Sequence, residues 1–205
     1  MKKGICYIVG AGDCFGLDFK PTDSDLVIAA DGGLSYLKEF GIAPDVVIGD
    51  FDSLGYVPEG KNVIKLNTRK DDTDMLSAAK YGLSEGYGEI HIYCGTGGRI
   101  DHTVANIQLL TYLANKSAQG YLYDKDSVLT VIRNGEISFG EDMSGYVSVF
   151  SVSDVSREVY IENLKYELNN AVLTSDFPIG TSNEFIGKRG KIKVGDGALL
   201  IVSPR

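Results

Sequence analysis

Between residues 5 and 123, short apolar runs alternate with segments of helical spacing, and this restricts the fold more than any other feature. The runs are Ile5 to Val9, Leu26 to Ala30, Asp45 to Ile48, Val63 to Leu66, Glu89 to Tyr93 and Gly120 to Tyr123. Among the intervening segments, Leu34, Leu37 and Lys38 precede Gly41, a helix ahead of its C-cap. Met75, Leu76, Ala79 and Leu83 share one face of a second helix, and Val104, Ile107, Leu110 and Leu113 mark a third and longest one. Strands alternating with helices at this spacing predict βαβ units, hence an α/β fold with a mostly parallel sheet and flanking helices. In such a sheet every segment that follows a strand emerges on one edge, where open α/β sheets bind ligands.

Those segments are rich in glycine and acid. They read Gly10-Ala11-Gly12-Asp13, Asp31-Gly32-Gly33, Gly49-Asp50-Phe51-Asp52-Ser53, Arg69-Lys70-Asp71-Asp72-Thr73-Asp74 and Gly95-Thr96-Gly97-Gly98-Arg99-Ile100-Asp101-His102. Asp50 and Asp52 stand at i and i+2, so an extended backbone points both carboxylates to one side. Two such charges about 4 Å apart, at an effective dielectric near 20, repel by roughly 4 kcal/mol. A hard divalent cation offsets that, and Mg²⁺ takes one or two carboxylates while leaving positions for substrate phosphates. Asp71, Asp72 and Asp74 exceed what capping a helix requires, and Asp74 faces the same edge. Gly97 and Gly98 ahead of a helix start allow backbone donors close to a phosphate, and Arg99 adds a planar fork for its oxygens. His91, inside a strand, reads as structural. Two familiar nucleotide motifs are missing: no Gly-x-x-x-x-Gly-Lys-Ser/Thr occurs, and Gly10-x-Gly12 lacks its third glycine because position 15 is Phe15.

The pattern changes near Asp126. Val128 to Val131 and Ile137 to Phe139 flank Asn134-Gly135, a hairpin signal, and Tyr146 to Val152 alternates with period two. Short strands separated by turn residues continue to Val202, so residues 126–205 read as an all-β sandwich and residues 1–125 as the α/β domain. Net charge is −8 with no basic patch beyond Lys188-Arg189-Gly190-Lys191-Ile192-Lys193, which argues against nucleic acid as a partner. No apolar run approaches the roughly 20 residues that span a bilayer. Cys6, Cys14 and Cys94 are odd in number and scattered, which suits a reducing cytoplasm and no disulfide framework.

Taken together and in order, Asp31-Gly32-Gly33, Gly49-Asp50-Phe51-Asp52-Ser53, Lys70-Asp71-Asp72-Thr73-Asp74, Gly97-Gly98-Arg99-Ile100-Asp101-His102 and Gly180-Thr181-Ser182-Asn183-Glu184 give a chain that resembles the bacterial thiamine pyrophosphokinases over nearly its whole length. The resemblance implies transfer of the pyrophosphoryl group of ATP to the hydroxyl of thiamine, with AMP leaving. It implies Mg²⁺ held by Asp50, Asp52 and Asp74, with Asp71 or Asp101 as further contributors. It places Asp31, Gly32, Gly97, Gly98 and Arg99 on ATP, and Ser182 and Asn183 on thiamine. It also implies a homodimer whose thiamine site is shared between the α/β domain of one subunit and the β domain of the other. From spacing alone, Gly180 to Phe185 is a turn. Two other readings stand beside this one. Asp50-x-Asp52 after a strand imitates the acid pair of haloacid dehalogenase-type phosphatases, although Leu54 stands where they carry Thr or Val and the motif follows the third strand instead of the first. A non-catalytic nucleotide sensor is the second.

Overall fold

A computed structural model describes residues 2–51, 55–60, 62–67 and 72–205. Contacts divide the chain into two units: Met1–Leu109 with Gly120–Asp124, and Leu110–Gln119 with Lys125–Arg205. The first unit holds strands β1 (Cys6–Val9), β2 (Leu26–Ala30), β3 (Val46–Gly49), β4 (Val63–Lys65), β5 (Glu89–Tyr93) and β6 (Gln119–Tyr123). Helices α1 (Gly33–Glu39) and α2 (Asp74–Ser84) lie between strands of this unit, and α3 (Ile100–Asn115) begins in it. The strands lie in the order β6-β5-β1-β2-β3-β4, and β5, β1, β2, β3 and β4 pair in parallel.

Both faces of this sheet are covered, which is why its strands read as unbroken apolar runs. Tyr7, Val9, Val27, Ala29 and Val47 point to one face and pack with Leu34 and Leu37 of α1 and with Leu17 and Phe19. Their neighbours Cys6, Ile8, Ile28, Ile48, Ile90 and Ile92 face the other way and are at most 1% exposed. Each large aliphatic side chain removed from water in this way contributes about 1.5–3 kcal/mol. Burial pushes the Cys6 thiol up to about 12, as suits an inert core cysteine. His91 sits among Tyr7, Tyr121 and Tyr123, bonded to Tyr123 Oη at 2.9 Å and to Glu89 at 2.9 Å, a structural role as its place in the strand suggested.

One carboxylate ties the entry of β1 to the turn before β2. Asp25 accepts from Ile5 N at 2.7 Å, from Thr22 N at 2.8 Å and from the Thr22 hydroxyl at 2.9 Å. Burial raises its pKa, but these hydrogen bonds more than offset that and hold it below the usual carboxylate range. Asp25→Ala is expected to cost about 1.5–3 kcal/mol, the range for hydrogen bonds to a charged group, measured by urea unfolding at pH 7. Because the folded-state pKa is depressed, the contribution is complete above the unfolded value near 3.9 and fades as pH falls through the folded value. The gap between wild type and variant should therefore close only in acid; a gap independent of pH down to 3 would assign the loss to packing instead.

The second unit is two antiparallel sheets. Strands β7 (Ser127–Arg133), β8 (Glu136–Ser138), β9 (Tyr146–Ser151), β10 (Val155–Glu162), β11 (Leu168–Thr174), β12 (Asn183–Glu184), β13 (Lys191–Asp196) and β14 (Ala198–Pro204) follow in sequence. One sheet runs β12-β9-β14-β7 and the other β11-β10-β13-β8. Ile132, Val147, Val149, Leu199 and Ile201 of the first sheet meet Val159, Ile161, Leu173, Ile192 and Val194 of the second in one core, a sandwich built by period-two alternation. The Asn134-Gly135 turn departs from the expected hairpin. It carries the chain from one sheet to the other, since β7 pairs with β14 and β8 with β13. The turn at Gly197 makes the same crossing from β13 to β14. The two are locked together by Asn134 N donating to Gly197 O at 3.1 Å and Gly197 N donating to Asn134 Oδ1 at 2.9 Å. Asn-Gly supplied the tight turn, but the inward residues on either side of it belong to opposite walls of the core.

Candidate active site

A cavity of about 540 Å³ lies in the first unit, walled by segments that follow its strands. After β1 it is lined by Gly10 to Asp13, after β2 by Asp31, after β3 by Asp50, ahead of α2 by Asp72 to Asp74, after β5 by Cys94 to Arg99, and on α3 by His102 and Asn106. The chain order moves outward from β1 through β2, β3 and β4 on one side, and through β5 and β6 on the other. The cavity thus sits at the point where strand order reverses, between β1 and β5, the place a doubly wound sheet offers a ligand.

The strand ends are bent sharply to make it. Asp31, Phe51 and Cys94, following β2, β3 and β5, have φ of 48°, 65° and 52°. A non-glycine residue held there costs of order 1–3 kcal/mol and tends to mark functional sites. At Phe51 this corrects the extended backbone expected between Asp50 and Asp52. The left-handed residue turns the chain, and the Phe51 ring is driven into the core at 2% exposure. Asp52, like Asp71, lies outside the described residues. Gly97 and Gly98 carry φ of 76° and 58°, and a Cβ on Gly97 would collide with the Asp13 carboxylate. Only glycine gives that loop its path without strain.

Asp31 is 8% exposed, and its Oδ1 is buried with no hydrogen-bond partner among the described residues. Gly49 packs directly on it, a Cβ there falling 3.0 Å from Asp31 Cα, so the acid-bearing ends of β2 and β3 lie against each other. Gly32 is the N-cap of α1. On α2 the capping is done by Thr73, whose side chain accepts from Leu76 N at 3.1 Å, and Asp72 pairs with Lys80 at 2.6 Å. Asp74, the first residue of the helix, is therefore not required as its cap and faces the cavity.

Arg99 lines the same cavity, and its guanidinium forks onto Asp101, Nε to Oδ1 at 3.2 Å and an Nη to Oδ2 at 2.5 Å. The hydrogen bond lowers the Asp101 pKa and raises that of Arg99. Both side chains are exposed, 70% and 61%, where an ion pair adds little stability.

Among the described residues no three His, Cys, Asp or Glu side chains are grouped to hold a metal unaided. A buried carboxylate oxygen lacking a donor, in a cavity that Asp50 and Asp74 also line, nonetheless fits a hard cation. Such a cation needs only one or two protein oxygens when phosphates complete its shell.

In the second unit, Ser182 is exposed with φ of 60°, and its N–H donates to Ser148 Oγ at 3.0 Å. Asn183 is 5% exposed and its amide is spent internally. Nδ2 donates to Tyr166 O at 2.6 Å, and Oδ1 accepts from Tyr166 N and Glu184 N, each at 2.9 Å. What reading by spacing took for a turn is thus half strand, and the Asn183 side chain acts as a strand partner for Tyr166.

Two family models cover most of the chain. The catalytic domain of thiamin pyrophosphokinase matches residues 21–122, and the vitamin B1 binding domain of thiamin pyrophosphokinase matches residues 135–199. The thiamine pyrophosphokinase of Bacillus subtilis is 31% identical over 185 residues, 86% of each chain. The chain belongs to the thiamin pyrophosphokinase family. Solved thiamin pyrophosphokinases agree with the fold. That from Bacillus subtilis superposes with a TM-score of 0.87 at 28% identity over 98% of each chain, and that from Geobacillus thermodenitrificans with 0.84 at 28% identity over 98% of this chain and 97% of its own. The yeast enzyme, at 17% identity and a TM-score of 0.73, shares the fold.

As a thiamin pyrophosphokinase, the chain is an enzyme that moves a pyrophosphoryl group to thiamine. The phosphatase and sensor alternatives fall with that assignment. The α/β and β-sandwich architecture is that of the family's solved structures. Of the residues that line the cavity or bond to its lining, reasoning from sequence quoted Asp13 and Thr96 only within strand-end segments and did not reach Asn106 or Asp124. Asn106 carried a signal: it is a buried amide on the helix that also buries Leu109 and Leu110. Thr96 and Asp124 carried none, because 28 residues separate two side chains bonded at 2.6 Å.

Proposed function

We propose that the cavity of the first unit is where ATP and Mg²⁺ meet, with Asp50, Asp52 and Asp74 as cation ligands, Asp71 near them, and Asp31, Gly32, Gly97, Gly98 and Arg99 against the nucleotide. The observation that carries this is the buried, donorless Oδ1 of Asp31 in a cavity that Asp50, Asp74 and Arg99 also line. Phosphoryl transfer asks for little covalent chemistry from a protein and a great deal of positioning and charge neutralisation. Held by these carboxylates, Mg²⁺ would supply positive charge to offset that of the triphosphate during transfer. The Gly97-Gly98 backbone approaches the phosphates because nothing projects from it. Arg99, aimed by Asp101, binds oxygens of the transferred group where charge develops. The thiamine hydroxyl displaces AMP at the β-phosphorus, and the thiazolium cation suits a chain of net charge −8.

The catalytic part is proposed as residues 1–125 and the thiamine-binding part as 126–205, acting in a cytoplasmic homodimer with a shared site. Ser182 presents its hydroxyl to thiamine, and Asn183 holds the Ser182 and Tyr166 segments in register. Exposed Tyr146, Tyr166, Phe177 and Ile179 supply the β unit with apolar surface to cover. Mixing inactive Asp50→Asn with inactive Asn183→Asp subunits should restore part of the activity, because each heterodimer carries one intact site. If the mixture stays inactive after subunit exchange has been demonstrated by mass, the site lies within one subunit.

A further inference from the structure

Consecutive carbonyls at the end of β5 are each tied down. Tyr93 O accepts from Gly10 N at 2.9 Å, Cys94 O from Gly12 N at 2.8 Å, and Thr96 O from Asp13 N at 2.8 Å. The carbonyl between them, Gly95 O, is instead held by a side chain, Asn106 Nδ2 at 2.6 Å, from inside α3. Asn106 is 6% exposed and Thr96 5%. From a third direction, the Thr96 hydroxyl donates to Asp124 Oδ1 at 2.6 Å, just past β6. A backbone loop receives an anion only with its carbonyl dipoles turned away and its N–H groups free to approach. A carbonyl released at Gly95 would bring partial negative charge toward the phosphates and loosen Gly97 and Gly98, which lack side chains to anchor them.

We infer that Asn106 and the Thr96–Asp124 pair are positioning residues of the pyrophosphoryl transfer, locking the Gly95–Gly98 loop in the shape that takes the triphosphate. This rests on the reading of Gly97, Gly98 and Arg99 as the phosphate site. Asn106 replaces the backbone donor that the other three carbonyls enjoy. Asp124 fixes the Thr96 rotamer and with it the entry to the left-handed pair.

The test is steady-state kinetics on the full-length chain with Mg²⁺, varying ATP and thiamine separately, alongside thermal melts. Asn106→Leu and Thr96→Val should each lower kcat/KM for ATP by about tenfold or more, the loss expected when a buried acceptor or donor is left unmade. The KM for thiamine should stay within about twofold. Thr96→Ser should recover most of what Thr96→Val loses, because it keeps the hydroxyl that donates to Asp124. A role confined to stability would instead lower the melting temperature and the active fraction with both KM values unchanged, and would overturn the inference. So would ATP kinetics unaltered in Thr96→Val. If Asn106→Leu does not fold, the Thr96 pair of variants decides. Arg99→Lys separates the two levels, since an ammonium cannot reproduce the planar fork. Impaired ATP kinetics in Arg99→Lys with none in Thr96→Val refutes only the positioning role, whereas no effect in either refutes the phosphate site itself.

Discussion

Asp50→Asn should turn over at least ~100-fold more slowly than wild type while melting at the same temperature or slightly higher. Asp50 lies on the cavity wall one residue beyond β3, against the end of β2 through the Gly49–Asp31 contact, so its charge adds to that of a neighbouring buried carboxylate. Asparagine keeps the size and shape of the side chain and removes only its charge, so no apolar contact is broken and the fold should be left intact. What is lost is a hard anionic ligand at the point where charge must be neutralised during transfer, and such ligands carry several kcal/mol of transition-state stabilisation. The deficit should narrow as Mg²⁺ is raised if the variant's defect is in cation affinity. Turnover within a few-fold of wild type in Mg²⁺-limited buffer would remove Asp50 from the site.

Asp31→Asn makes a sharper case, because activity and stability are expected to move in opposite directions. The carboxylate is 8% exposed with an oxygen that nothing described donates to, and a buried acceptor left unpaired is costly to the ligand-free protein. Neutralising it should leave the ligand-free melting temperature unchanged or raised. The same change should abolish most of the stabilisation conferred by Mg²⁺ with ATP, which for wild type at a hundred times its Kd amounts to about 2.7 kcal/mol. Turnover should fall by roughly 10- to 100-fold. A variant that melts lower without ligand, yet keeps its full response to Mg²⁺ and ATP, would make Asp31 a structural residue of the β2 turn.

Most of the first unit was legible because a parallel sheet buried on both faces writes itself as unbroken apolar runs. The run from Leu26 to Ala30 matches β2, and that from Glu89 to Tyr93 matches β5. The acids and glycines at the strand ends were legible for a topological reason, since parallel strands deliver their followers to one edge whatever the details. Backbone handedness was not. Nothing about Phe51 or Cys94 as residue types announces a positive φ, and at Phe51 the assumption of extended chain missed a left-handed residue. The acids at the start of α2 were read as more than capping requires, and Thr73, placed among them, supplies the cap. In the β unit, alternation gave the strands, but Asn134-Gly135 showed only that the chain turns, not which sheet receives it. Asn183 was picked out as a polar residue near thiamine, yet its burial could not be read from a stretch of Gly, Thr and Ser.

The most direct test of the account is the identity of the nucleotide product. Incubated with thiamine, ATP and Mg²⁺, the protein should release AMP and thiamine diphosphate in equal amounts from the start of the reaction, and Asp50→Asn should depress both together. Release of ADP with thiamine monophosphate, or of inorganic phosphate without any thiamine ester, would contradict a site built to hold the triphosphate for attack at its β-phosphorus.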